Sequence, residues 1–114
     1  YSPLGAGMLS GKYHLKTDTP RDRLNRYQDV KRYSSEQAWE ATSRYLALAQ
    51  ENDLTLTQLA LAFVTDRPFV SSNIIGATTI EQLRENIASV DVQLSEDILQ
   101  AIDDIHHQIP NPAP

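Results

Sequence analysis

Ile74-Ile75-Gly76-Ala77-Thr78-Thr79-Ile80-Glu81-Gln82-Leu83-Arg84-Glu85-Asn86 is the stretch on which the reading of this chain turns. Just before it, Val70-Ser71-Ser72-Asn73-Ile74-Ile75 reads as a short buried strand running into Gly76. Thr78 and Glu81 have the spacing of a capping box, which opens a helix with the apolar stripe Ile80, Leu83, Ile87. A helix N-terminus presents unpaired N–H groups and the positive end of the helix dipole, so a strand ending there in small residues forms a seat for phosphate. Gly76 and Ala77 keep side chains out of an anion's way, and Thr78 and Thr79 add hydroxyl donors. Gln82, one turn in, and Glu85 and Asn86, two turns in, fall on the side of the same ligand. The amides of Gln82 and Asn86 suit an adenine edge or a ribose, and Glu85 suits an exocyclic amine. Alone, the pattern is more often a plain connection between strand and helix than a binding site.

A second stretch changes that balance. Ser2-Pro3-Leu4-Gly5-Ala6-Gly7 reads as the loop at the end of another strand, followed by Lys12. Residues 13–33 are a polar connection without strong periodicity, with Arg21, Arg23, Arg26, Lys31 and Arg32 clustered around and after Pro20. Loops of this length inside compact domains are usually functional or disordered. Consecutive strands of one barrel place their C-terminal ends side by side, where barrel active sites lie and where the last two loops often hold phosphate.

The remaining elements are helical. Ser34 or Ser35 caps a helix with Ala38, Trp39, Ala41, Thr42, Tyr45, Leu46, Leu48 and Ala49 at spacings of three and four, ending at Asn52-Asp53. Thr57 is expected to cap a second helix from Gln58 to about Asp66, apolar all round over Leu59–Val64 and stopped by Pro68. Ser95 caps a last one, with Glu96 and Asp97 in its first turn and Ile98, Leu99, Ile102 and Ile105 on its apolar face. The tail from Ile109 to Pro114 is too rich in proline to be helical. Strands separated by helices imply a parallel α/β sheet with both faces covered. Two short strands do not make one, so the missing strands are expected upstream. The opening Tyr1-Ser2-Pro3-Leu4, with no Met and no targeting segment, reads likewise as the front of a truncated chain, a trimmed domain boundary being the alternative.

Composition narrows the function classes. Ten Lys and Arg against fifteen Asp and Glu give a net charge of −5, which disfavours nucleic acid and anionic membrane as partners. No apolar run is long enough to span a bilayer. The chain has no Cys, hence no disulfide scaffold and no thiolate metal site, and this fits a cytoplasmic protein. His14, His106 and His107 read as solvated surface residues, and Trp39 reads as core beside Tyr45 and Leu46.

At this point a resemblance becomes specific. Ser2–Tyr13 resembles the seventh-strand loop of the aldo-keto reductase superfamily, and Ile74–Asn86 resembles its eighth-strand adenosine-phosphate motif. The Gly-Ala-Thr-Thr and Gln-Leu wording is similar to the branch that includes potassium-channel β subunits and bacterial reductases. The resemblance covers essentially the whole of residues 1–114. It implies the C-terminal, mostly helical portion of a (β/α)8 TIM barrel roughly three times this length, with the last one or two barrel strands present. It further implies an oxidoreductase that reduces a small-molecule aldehyde or ketone by hydride transfer from NADP(H), with NAD(H) left open. A nucleotide-binding regulatory subunit, or an inactive remnant, is the alternative.

Carried over by residue, Ser2, Pro3, Leu4, Gly5 and Gly7 line the pyrophosphate and nicotinamide side, and Tyr1 matches an aromatic that stacks on the nicotinamide. Lys12 and Arg23, with Arg21 as the alternative to Arg23, hold phosphates. Gly76, Ala77, Thr78, Gln82, Glu85 and Asn86 bind the adenosine 2′-phosphate end. Many relatives carry Lys in place of Gly76 and Arg in place of Gln82, which loosens the preference for NADP; Lys12, Arg23 and Arg84 are the cations available to replace that charge. The family's catalytic Tyr, Lys, Asp and His lie on its first four strands and have no counterpart here, so no catalytic residue is expected and the chain alone is expected to be inactive.

Overall fold

The computed structural model describes all residues, 1–114, and is built from helices joined by turns. In chain order these are a 3₁₀ segment (Gly5–Ser10), the single turn α1 (Arg23–Arg26), a second 3₁₀ segment (Gln28–Ser34), and helices α2 (Glu36–Glu51) and α3 (Leu56–Thr65). They are followed by α4 (Ile80–Ala88), a 3₁₀ turn (Ser89–Asp91) and α5 (Glu96–Gln108).

Local sequence sets most helix boundaries. Ser35 caps α2, its hydroxyl accepting from the Ala38 amide at 3.0 Å, and Ser95 caps α5 through the Ile98 amide at 3.3 Å. Helix α3 begins two residues earlier than expected, because Thr55 rather than Thr57 is its cap. Thr55 Oγ1 accepts from the Gln58 amide while Gln58 Oε1 accepts from the Thr55 amide, so two orphan donors are satisfied reciprocally. Thr57 is buried in the packed side of the helix instead.

The core forms where α2, α3 and α5 meet. Ala49, Leu56, Leu59, Ile98 and Ile102 are buried together, and Leu9, Tyr45, Leu46, Phe63 and Leu94 pack around them. Trp39 is not part of this core: it is 44% exposed, and His14 stacks on its ring at 4.2 Å while His14 Nε2 lies 3.0 Å from the Trp39 carbonyl oxygen. His14 is therefore a packing residue rather than a solvated one, and it ties the loop after Gly11 to α2.

Two expectations are corrected. The chain contains no β-strand. A strand exists only by hydrogen-bonding to a neighbour, and no amide of residues 71–78 donates to another backbone carbonyl. The segment is held by a side chain instead, Asn73 Nδ2 donating to Thr65 Oγ1 at 3.1 Å and to the Leu61 carbonyl at 3.4 Å. The apolar stripe of α4 also does not face a core: Ile80, Leu83 and Ile87 are exposed, and Ile74 is 84% exposed. Helix α4 docks through Glu85, which accepts from Thr55 Oγ1 at 2.6 Å, and through Asn86, its buried residue. The long connection 13–33 takes a defined path. Asp22 accepts from Lys12 Nζ at 2.5 Å and from the Thr19 amide at 2.6 Å, and Tyr13 Oη accepts from the Leu24 amide at 3.2 Å.

Three outcomes follow from this packing. Leu59→Ala is expected to lower unfolding free energy by about 2–5 kcal/mol in urea titrations, since Leu59 is fully enclosed. Thr55→Ala removes both the cap and the bond to Glu85, and about 2 kcal/mol is expected by the same measurement. Burial, reinforced by the negative charge of Asp103, pushes the Tyr45 hydroxyl above the usual tyrosine value. The folded chain then holds that proton more tightly than the unfolded chain. This contribution is complete below about pH 10 and is lost as pH rises through the folded value. Urea titrations across the alkaline range should show a shallower loss of stability for Tyr45→Phe than for the parent chain.

Candidate functional site

The N-terminal loop is a set of nested turns. The Gly5 amide donates to the Ser2 carbonyl, the Gly7 and Leu9 amides both donate to the Leu4 carbonyl, and Ser10 Oγ donates to the Gly7 carbonyl at 2.7 Å. Gly7 sits at φ +92°, and a Cβ there would meet Lys12 Cε and Tyr13 Oη at 3.7 Å. The positive φ favours glycine, while the contacts to Lys12 and Tyr13 would be ordinary van der Waals ones. Gly5 lies under the Tyr33 ring, whose Cδ1 would stand 3.4 Å from an added Cβ.

Above this loop is a cleft of about 430 Å³ lined by Tyr1, Ser2, Ala6, Arg23, Asp29, Val30, Arg32 and Tyr33. It gathers three of the residues expected from sequence, Tyr1, Ser2 and Arg23. Arg32 and Tyr33 join them and were not expected there. Arg32 Nη2 donates to Tyr1 Oη at 3.0 Å and to Tyr33 Oη at 2.9 Å, and its guanidinium lies 4.8 Å from the Tyr33 ring centre and 5.9 Å from that of Tyr1. The Ser2 side chain and then Arg32 hold the Tyr33 hydroxyl below the usual tyrosine value.

The cations differ in availability. Lys12 is paired with Asp22, and that hydrogen bond, followed by the one from the Thr19 amide, holds the Asp22 carboxyl below the usual aspartate value. The only other ion pair in the chain joins Arg44 to Glu40, so Arg23 and Arg32 have no carboxylate partner. Pro3 faces elsewhere, into an apolar cleft of about 190 Å³ with Leu9, Leu59, Phe63, Val64 and Ile102. Leu4 acts through its carbonyl, as the hub of the turns.

The second half of the site is the approach to α4. Thr79, not Thr78, is the cap, accepting from the Gln82 amide at 3.2 Å. Gln82 turns back so that its Oε1 accepts from the Thr78 amide at 2.9 Å and from Thr78 Oγ1 at 3.0 Å. Asn86 Nδ2 donates to the Gly76 carbonyl at 3.3 Å. Thr78, Gln82 and Asn86 therefore shape this turn with their own hydrogen bonds, and Glu85 is occupied by Thr55. What the turn leaves open is backbone: the amides of Gly76, Ala77, Thr79, Ile80 and Glu81 have no protein partner, and a Cβ at Gly76 would meet nothing within 4 Å. Unpartnered amides at a helix N-terminus are available as donors to an anion.

Both halves pack on α3, and neither of the two clefts described above is lined by residues of both. No cluster of three or more His, Asp or Glu side chains is positioned to hold a metal ion. No helix is long and apolar enough to cross a membrane.

Comparison with known proteins gives these two half-sites a setting. Protein tas of Escherichia coli (strain K12) is 42% identical over 114 residues, the whole of this chain and 33% of the relative. A probable voltage-gated potassium channel subunit beta of Arabidopsis thaliana is 36% identical over 96 residues, covering 81% of this chain and 29% of the relative. An aldo-keto reductase of Babesia bovis is 41% identical over 90 residues, covering 76% and 32% respectively. The chain thus spans about a third of the length of the curated relatives it matches. The profile of the Aldo/keto reductase family matches residues 1–107. With both the N-terminal loop and the Gly76 turn inside that match, the chain belongs to the aldo/keto reductase family.

Proposed function

We propose that this chain supplies the cofactor-binding part of an oxidoreductase that reduces aldehydes or ketones with NADP(H). The observation that carries the reading is the Gly76–Glu81 turn, with its unpartnered amides and the open space over Gly76. These donors fit a phosphate group in chemistry and placement, and the unpaired Arg23 and Arg32 fit a second anionic group at the N-terminal loop. A dinucleotide carries anionic groups at both its pyrophosphate and its adenosine end, which matches a site in two parts. When bound, the cofactor supplies the hydride. The chain's own contribution is to bind and orient: the Leu4 carbonyl fixes the loop, Gly5 and Gly7 keep it flat, and Thr79 and Gln82 hold the amides of the α4 turn in place.

The expected lysine and arginine of the adenosine-phosphate motif are replaced by Gly76 and Gln82, so backbone N–H groups carry the recognition there. Gln82 keeps Nε2 as a free donor after its Oε1 is used in the turn. A second reading, a nucleotide-binding regulatory subunit, is favoured by the likeness to a protein named as a channel subunit. It differs from the first in predicting cofactor binding without steady-state turnover in a protein of the relatives' length.

Titration of NADPH fluorescence with the 114-residue chain is expected to show saturable binding. Gly76→Asp should weaken it by tenfold or more, about 1.4 kcal/mol, by placing a carboxylate where the anion sits, with an unchanged melting temperature because the position is open. Binding that is absent, or indifferent to Gly76→Asp, counts against the reading. With a simple aldehyde and NADPH the chain alone is expected to give no turnover, for it contains no tyrosine paired with Lys and Asp.

A further inference from the structure

Ser35 stands at the junction of two elements, ending the 3₁₀ segment Gln28–Ser34 and capping α2. Its hydroxyl is used twice: Oγ accepts from the Ala38 amide at 3.0 Å and donates to the Pro112 carbonyl, 77 residues away, at 2.8 Å. A hydroxyl has one proton and two lone pairs, so the two bonds do not compete. The 3₁₀ segment supplies Asp29, Val30, Arg32 and Tyr33 to the wall of the N-terminal cleft. It buries no residue, and its backbone makes no hydrogen bond to another element. Its position is therefore set by its two ends and by the side-chain bonds of Arg32 and Tyr33 to Tyr1 and Ser2. The C-terminal tail reaches Ser35 already restricted. Arg44 Nη1 donates to Gln108 Oε1 at 2.6 Å, Ile109 is buried, and Pro110, Pro112 and Pro114 fix φ at alternate positions. Beyond Ile109 the tail makes one hydrogen bond, the one from Ser35. A short, stiff connection from a buried root keeps the Pro112 carbonyl at high effective concentration near Ser35, and little entropy is lost on docking.

We propose that Ser35 is a positioning residue for the N-terminal cleft: by gripping Pro112 it makes the proline-rich tail a strap that holds the cleft wall 28–34. Capping alone does not need the tail, because acceptance from Ala38 fixes only the first turn of α2. Donation to Pro112 adds a tie from the far end of the sequence, placed where the wall meets α2. Aspartate caps a helix as well as serine does, but a carboxylate has no proton to give to a carbonyl. The coupling runs in both directions: releasing the tail loosens the wall, and whatever orders the wall tightens the tail. The strap stands independently of which ligand the cleft takes.

The test is hydrogen–deuterium exchange of the 114-residue chain, read by mass spectrometry over residues 28–34 and 36–51, beside an NMR pH titration of the Tyr33 ring. Ser35→Asp keeps the acceptor that caps α2 and removes the proton that Pro112 receives. A chain stopped after Asn111 keeps the buried Ile109 and removes the Pro112 carbonyl. Both are expected to exchange about fivefold faster over 28–34, the scale of one neutral hydrogen bond, with 36–51 unchanged. In both, the Tyr33 hydroxyl, held below the usual tyrosine value by the Ser2 side chain and Arg32, should move back up as those partners drift. Ser35→Thr retains both functions and should match the parent in both measurements. Ser35→Ala also loses the cap, so the first turn of α2 should quicken with the wall. Exchange over 28–34 that is equal in the parent and Ser35→Asp overturns the proposal and leaves Ser35 a helix cap. So does an unmoved Tyr33 titration, or acceleration spread evenly over 28–34 and 36–51, which marks a general loss of stability. If the shortened chain fails to fold, Ser35→Asp decides.

Discussion

Helix α3 has to be covered on almost every side, and the other elements are placed by that need. Leu56, Thr57, Leu59, Leu61 and Ala62 are all buried within its ten residues. Exposing a single leucine of this kind to water costs about 2 kcal/mol or more, so an uncovered α3 would not persist. Helices α2 and α5 cover it from one direction, through Ala49, Ile98 and Ile102. The N-terminal 3₁₀ segment covers it through Leu9, and α4 with the Ser89–Asp91 turn covers it from another side. Each half of the candidate site is therefore the outer surface of a segment whose inner surface packs on the same helix. A weakened α3 is expected to disturb both halves at once.

Where the forces are local, the sequence was readable. Helices α2 and α5 have a serine cap, an apolar stripe at helical spacing and a packed partner for that stripe, and their bounds match the expected ones closely. The two caps read one or two residues off show what competes at that scale. Thr55 and Thr57 are both acceptable cap residues, but only Thr55 has Gln58 at the position from which a side chain can reach back. Thr78 and Thr79 pose the same choice. Thr79 wins because Gln82 then closes on the Thr78 amide and hydroxyl, leaving Glu81 free.

Long-range pairing was not readable, and the two largest differences share that cause. Val70–Ile75 has the composition of a buried strand, but composition supplies no partner, and strand geometry is a property of two segments rather than one. The stripe Ile80, Leu83, Ile87 is amphipathic in sequence, yet α4 is fixed by Thr55–Glu85 and Asn86–Gly76 contacts on a different face. Arg32 is the same problem in side-chain form. Its clamp joins residues thirty-one positions apart, inside a charged connection with no periodicity, and no spacing rule singles it out from Arg21, Arg26 or Lys31.

The polar side chains expected to touch a ligand divide into those with free donors and those already used in hydrogen bonds within the chain. Asn86, Glu85 and Lys12 each make a hydrogen bond within the chain that would have to be broken before they could bind anything else. Releasing Lys12 would leave Asp22 without its strongest partner, and releasing Asn86 would expose the buried amide of a residue only 6% exposed. Such exchanges lose about as much as they gain. Backbone amides over Gly76 and the guanidinia of Arg23 and Arg32 require no exchange, because nothing in the chain holds their remaining donors. On the proposed reading, recognition falls to groups already fixed and already free, which keeps the ordering cost of binding low. The motif residues around them determine where those groups point.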